Sequence, residues 1–177
     1  TVSDIVNTAT EQELARILRV YADERFAGRI ARAIIAARPI QTTTELADIV
    51  ASSIPAPARR RGGHPAKRTF QALRIEVNGE LDALSSAVPQ ALDALRVGGR
   101  ILVLSYQSLE DRIVKRALGA ASVSSAPLDL PIELPEHAPT LRLVVRGAEQ
   151  ASDQEISSNP RSASVRLRAA EKIRQAA

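Results

Sequence analysis

Gly98-Gly99-Arg100-Ile101-Leu102-Val103-Leu104-Ser105-Tyr106-Gln107-Ser108-Leu109-Glu110-Asp111-Arg112-Ile113-Val114-Lys115 is the stretch on which the reading of the fold turns. A glycine turn leads into four consecutive apolar residues, Ile101 to Leu104, and then into a polar loop that opens a helix. An unbroken apolar run of this length predicts a strand buried on both faces, the habit of parallel sheets in α/β proteins. Such sheets build their ligand sites at the carboxyl ends of strands. Tyr106, Gln107 and Ser108 occupy that place, so they are the first candidates for chemistry.

Composition narrows the field. The 177 residues suit one domain, or one and a part, and the 45% of hydrophobic residues can furnish a core. Tyr21, Phe26, Phe70 and Tyr106 are the only aromatics, so Leu, Ile, Val and Ala must do the packing. The absence of cysteine excludes disulfides and thiolate metal sites. With His64 and His137 the only histidines, no transition-metal centre is expected. No apolar run reaches membrane-spanning length, and the expectation is a cytoplasmic protein. A net charge of +4 permits a polyanionic partner without requiring one.

The amino-terminal part reads as helices. Thr10 with Glu13 makes a capping box, and Leu14, Ile17, Leu18 and Tyr21 then share one face. A second helix is predicted from Glu24 to Arg38, with Phe26, Ile30, Ile34 and Ala37 inward and Pro39 as its stop. Thr42 and Glu45 cap a third, carrying Leu46, Ile49 and Val50. Thr1 to Asp4 reads as the middle of a helix. Arg16, Arg19, Arg25, Arg29 and Arg32 line the outer side, where arginine serves equally as a solvated helix former or an RNA-facing charge.

From Ile54 to Pro65, prolines, glycines and three successive arginines predict an exposed linker. A long helix follows, with Phe70, Leu73, Val77, Leu81, Leu84 and Val88 as an apolar stripe and Pro89 as its break. Arg59, Arg60, Arg61, Lys67, Arg68 and Arg74 are the densest positive cluster. Phosphate binding needs such density on a surface able to follow a nucleic-acid backbone, although linker charges also serve simply for solvation. His64 suits a cap or a phosphate contact.

Beyond the Gln107 loop, Ser108 and Asp111 have capping-box spacing, which alone would account for both; Leu109, Ile113 and Ala117 follow on the inner side. Glu110 and Arg112 fit a surface ion pair. Residues 122–139 read as loop. Two alternating segments, Leu141/Leu143/Val145 and Val165/Leu167/Ala169, with arginines between, predict antiparallel edge strands. Asn159-Pro160-Arg161-Ser162 between them is either an ordinary turn or a segment that returns over the strand ends to touch a nucleotide.

Three blocks carry a resemblance. HPAKRTFQALRIEVNGEL (His64 to Leu81), GGRILVLSYQSLEDRIVK (Gly98 to Lys115) and NPRSASVRLRAAEK (Asn159 to Lys172) resemble, in order, successive parts of the bacterial 16S rRNA (cytosine-N4)-methyltransferases that use S-adenosylmethionine. ADERFAGRIARAI (Ala22 to Ile34) is similar more weakly. The resemblance implies an α/β chain: the carboxyl-terminal half of a Rossmann-like methyltransferase domain (63–177), preceded by part of a small all-α insertion domain (1–62). It implies methyl transfer to a cytidine in the decoding region of 16S rRNA, with the small ribosomal subunit as partner. By this likeness Gln107, Tyr106 and Ser108 belong to the base pocket, and Arg59, Arg60, Arg61, Lys67, Arg68, Arg74, Asn159, Arg161 and Ser162 to the RNA contacts.

Departures from the family pattern carry weight too. The glycine-rich cofactor loop expected after a first strand has no counterpart in this chain, so S-adenosylmethionine is expected to be held by a preceding portion and the chain to be an inactive fragment. Tyr106 and Gln107 stand where the family pattern has Phe and His, and Ala163 where it has Arg; an essential imidazole base is therefore not expected. The rival reading is a non-catalytic RNA- or ribosome-binding module. A sheet lacking its neighbours would also expose apolar edges and favour a homodimer or strand exchange.

Overall fold

The computed structural model describes residues 1–59, 64–127 and 134–175. Contacts divide it into two compact units, Thr1–Glu80 and Leu81–Ala177. The expected division at residue 62 thus differs from the packing: the helix after the basic linker is built into the first unit.

In that unit α1 (Val2–Thr8), α2 (Glu11–Ala22), α3 (Ala27–Ala36), α4 (Thr43–Ser53), α5 (Ala56–Arg59) and α6 (Lys67–Asn78) enclose one aliphatic core. Both expected capping boxes form. Glu13 accepts from the Thr10 amide at 2.8 Å, and Glu45 from that of Thr42 at 3.0 Å. A third capping box, Thr1 with Asp4, lies at the start of α1. Leu14, Leu18, Ile30, Ile34, Val50 and Leu73 are fully buried. Burial of each such side chain is worth about 1.5–3 kcal/mol, and the small helices depend on it more than on propensity.

Three expectations are corrected here. The second helix is shorter than Glu24–Arg38: Phe26 sits at its N-cap and Ala37, exposed, at its C-cap. Arg38 is spent on tertiary ties instead, its Nε donating to the Val6 carbonyl at 2.8 Å. The linker is anchored at its near end, since Ile54 is buried and Ala58 packs on the core within the short α5. The long helix breaks at Gly79, not Pro89. Gly79 takes a left-handed φ of 58°, open to glycine at little cost, and so ends α6. Pro89 lies inside α7 (Glu80–Ala94); the carbonyl it leaves without a partner belongs to exposed Ser85, where water can reach.

The second unit places α7 and α8 (Ser108–Ala121) with a three-stranded sheet of β1 (Arg100–Ser105), β2 (Leu141–Leu143) and β3 (Arg166–Lys172), in the order β1-β3-β2. Both pairings are antiparallel. No described strands pair in parallel, contrary to expectation. Because each outer strand opposes β3, β1 and β2 nevertheless run in the same direction, and α8 lies in the connection between them. Val88, Val114, Leu118, Leu141 and Ala170 form the core, with Ile101 and Val103 against it.

Two strand readings also change. β1 is covered on one face only: Leu102 and Leu104 are 64% and 57% exposed. β3 is the central strand and not an edge, and its helix-covered face carries Arg168, Ala170 and Lys172; Ala169 is buried too, on the opposite face, and Leu167 there is half-buried. This phase is possible because the buried charges are matched. Lys172 Nζ donates to the Leu92 and Asp93 carbonyls, at 2.8 and 3.2 Å, where the carboxyl end of α7 presents unpaired acceptors. Arg168 is met by a carboxylate of α8.

Candidate functional site

The glycine pair sets the start of β1. Gly98 has φ 82° and donates to the Lys172 carbonyl at 2.7 Å, while a Cβ on Gly99 would stand 2.8 Å from the Arg96 carbonyl oxygen. The strand then runs to buried Ser105, which lies opposite Arg166 at the start of β3. Tyr106 emerges 57% exposed; Gln107, half-buried, is the N-cap of α8, and exposed Ser108 is its first residue.

The helix start is one residue out of step with the expected cap. Gln107 and Glu110, not Ser108 and Asp111, make the capping box. The Glu110 carboxylate accepts from the Tyr106 amide at 3.0 Å and from the Gln107 amide at 3.1 Å, so it is a loop anchor instead of the surface partner of Arg112. Asp111 turns inward. Its two oxygens accept from Arg168 Nε at 2.7 Å and an Arg168 terminal nitrogen at 3.0 Å, a bidentate pair with both side chains under one-fifth exposed. Hydrogen bonding from Arg168 holds the Asp111 carboxyl below its ordinary range, against the opposing effect of burial. The other Arg168 terminal nitrogen reaches the Gly147 carbonyl at 2.8 Å.

The Asn159 segment arrives at the same end of the sheet. After α9 (Asp153–Ser158), Asn159 leads a 3-10 turn, Pro160–Ser164, directly into β3. Since Arg166 opposes Ser105, this turn and the Ser105–Ser108 loop both leave the sheet at the carboxyl end of β1. Asn159 accepts from the Arg161 amide at 3.3 Å, and buried Ser162 donates to the Asn159 carbonyl at 2.8 Å, so both side chains shape the turn. Arg161 is exposed, and its guanidinium has no partner among the described residues. Exposed Arg166, not singled out from the sequence, adds positive charge nearby.

A cavity of about 170 Å³, lined by Lys115, Leu118, Leu143, Val145, Gly147 and Arg168, lies behind α8. It is smaller than an ordinary ligand pocket of roughly 300–1,000 Å³, so an open surface at the sheet end is the better candidate for a large substrate. Of the basic cluster, Lys67 and Arg68 are exposed at the start of α6, whereas Arg74 is tied to Glu80 at 2.9 Å. Arg60 and Arg61 lie outside the described residues, as does the side chain of Arg59. Among the described residues no His, Cys, Asp and Glu side chains gather as a metal site, and no helix is long and apolar enough to cross a membrane.

The family model described as the MraW methylase family matches residues 1–173. This chain belongs to the MraW methylase family. Its curated relatives include proteins named ribosomal RNA small subunit methyltransferase H. That of Nocardia farcinica is 59% identical over 179 residues, covering 99% of this chain and 55% of the relative. That of Mycobacterium sp. (strain KMS) is 60% identical over 173 residues, covering 98% and 47%. That of Thermobifida fusca is 60% identical over 178 residues, covering 99% and 54%. The chain therefore spans about half the length of the MraW relatives it matches. The resemblance read from the three sequence blocks is borne out as family membership.

Proposed function

We propose that this chain contributes the nucleobase side of an rRNA methyltransferase, which moves a methyl group from S-adenosylmethionine to the exocyclic N4 of a cytidine in the decoding region of 16S rRNA. The observation that carries the reading is the pairing of Ser105 with Arg166, which brings the Tyr106–Ser108 loop and the Asn159–Ser164 turn to one end of the sheet. Membership of a methylase family and relatives named for the small ribosomal subunit support the choice of reaction. The protein then works where ribosomes are made, in the cytoplasm. The Rossmann-like architecture is supported by the same-direction run of β1 and β2 about α8.

The described residues do not fit the cofactor. Cradling it needs backbone amides freed by glycine at a strand-to-helix turn. The one such turn described, Ser105-Tyr106-Gln107, has none, and Gly98-Gly99 precedes its strand. What these residues can do is hold the acceptor. The amine of cytosine is a poor nucleophile because its lone pair is delocalised into the ring, so acceptors at its hydrogens and fixed orientation are the useful help. The Gln107 carboxamide carries both an acceptor and donors, the chemistry a base edge requires. Exposed Tyr106 offers a ring on which an unstacked base can rest. Ser108 offers a hydroxyl at the first turn, and Arg161, Lys67 and Arg68 offer charge for phosphates.

The test is methyl transfer to small-subunit RNA by the complete gene product. Gln107→Ala should lower turnover by more than about tenfold, the scale for losing one oriented polar contact in the transition state, with circular dichroism unchanged. Normal turnover would remove Gln107 from the site. Calorimetry of this chain alone should detect no S-adenosylmethionine binding; stoichiometric binding would refute the assignment of the cofactor cradle elsewhere. Alone, the chain is expected to self-associate through its uncovered sheet.

A further inference from the structure

The loop that offers Tyr106 and Gln107 has no covalent reason to stay put. It follows directly on β1, a strand with one open face, and the Glu110 carboxylate of the next helix accepts from both of its amides. Glu110 takes the Tyr106 and Gln107 amides, and the Asp111 amide donates to the Gln107 carbonyl at 3.0 Å. The first turn of α8 is thus the mould for the loop. One guanidinium ties that turn to the sheet by charge-assisted hydrogen bonds, ahead of the apolar packing of Val114 and Leu118. Arg168 lies in β3 opposite Val103, grips both oxygens of Asp111, and uses its remaining terminal nitrogen on the Gly147 carbonyl.

The Gly147 contact is built by a departure from regular pairing. β2 ends at Leu143, yet Val144 still donates to the Ala169 carbonyl and Glu149 pairs with Leu167 further along β3. The intervening residues bulge outward, with Gly147 at φ 88°, and the bulge presents a carbonyl to Arg168. One side chain on the central strand therefore joins the start of α8 and the bulge after β2. Arginine suits this task because its planar fork can make a bidentate carboxylate pair and keep a donor for a third group; lysine, a point charge, cannot reproduce it.

We propose that Arg168, acting through Asp111, is a positioning residue for the Tyr106–Gln107 loop: it sets the geometry of the base-reading residues without touching the base. The catalytic part of this inference rests on the reading of Gln107 given above; the mechanical part does not. Removing the fork frees the first turn of α8 to shift against the sheet, and the two loop amides open with it.

Amide hydrogen exchange on this chain tests the mechanical part directly. In Arg168→Ala and in Asp111→Ala the Tyr106 and Gln107 amides should exchange about tenfold faster, as expected for loss of one charge-assisted pair, while those of α2 and α3 keep their rates. The double variant should be no faster than either single one. Unchanged protection of the two amides in both variants, or additive effects, would overturn the proposal. Should Arg168→Ala fail to fold, Arg168→Lys serves: it should show an intermediate acceleration, and wild-type rates would overturn the proposal equally. In the complete gene product, Arg168→Ala should lower kcat about tenfold with KM for RNA unchanged, and Arg168→Lys should restore part of it. A rise in KM with kcat intact would refute a positioning role. Normal turnover in Gln107→Ala with accelerated exchange in Arg168→Ala would instead condemn the reading of Gln107 and leave the mechanical coupling standing.

Discussion

Asp111 would be an ordinary acid at a helix start if Arg168 were not opposite it. Hydrogen bonding to Arg168 lowers its pKa from the ordinary aspartate range, outweighing the upward push of burial. A lowered carboxyl pKa stabilises the folded state above the unfolded value, and the benefit is lost as pH falls through the folded one. The Asp111 carboxylate carbon, followed by NMR, should therefore titrate below the ordinary aspartate range in the wild-type chain and return to that range in Arg168→Met. Detachment of the α8 start should begin only in that acid window; a wild-type midpoint equal to that of Arg168→Met would contradict the bidentate pair. None of this was legible locally. From sequence alone Asp111 has the spacing of a cap for Ser108, because its real partner is 57 residues away.

At the level of elements, the local signals were read well and the remote ones were not. Thr10 with Glu13 and Thr42 with Glu45 announce helix starts within four residues, and the structure forms both. The β3 phase could not be found this way. Alternation marks Leu167 and Ala169 as the covered residues, and Ala169 is buried, yet the helix-covered face takes Arg168 and Lys172, because distant acceptors on α8 and α7 match their charges. A buried, matched charge inverts the rule that apolar residues mark the inner face. Gly79 and Pro89 offer a second case. Both break helices in principle, and only the glycine does so here, since the proline falls where the freed carbonyl is wet. Lys172 gives this scale its prediction. Lys172→Met keeps the aliphatic stem but leaves the last carbonyls of α7 bare, and should cost about 1–2 kcal/mol. The urea midpoint, read from amide exchange in α7, should fall, while that of α2 stays fixed; an unchanged α7 midpoint would show that water caps the helix as well as lysine does.

At the scale of the whole molecule, β1 is the feature that does not close. Its four apolar residues led to an expectation of burial on both faces, and one face is open: Leu102 and Leu104 lie exposed on the side away from α8, and β1 has no second neighbour among the described residues. The sequence pattern calls for burial on both faces and the structure buries one, in a chain that spans about half the length of its relatives. A bare apolar edge strand with charge only at Arg100 has little to discourage pairing with a second copy. Sedimentation of this chain alone should accordingly show dimers or larger species increasing with concentration. Leu104→Lys, which places a charge on the open face without touching the covered one, should leave it monomeric with its helical circular dichroism intact. A wild-type chain that sediments as a monomer at all accessible concentrations would mean that this face tolerates water and that its apolar side chains do not drive association.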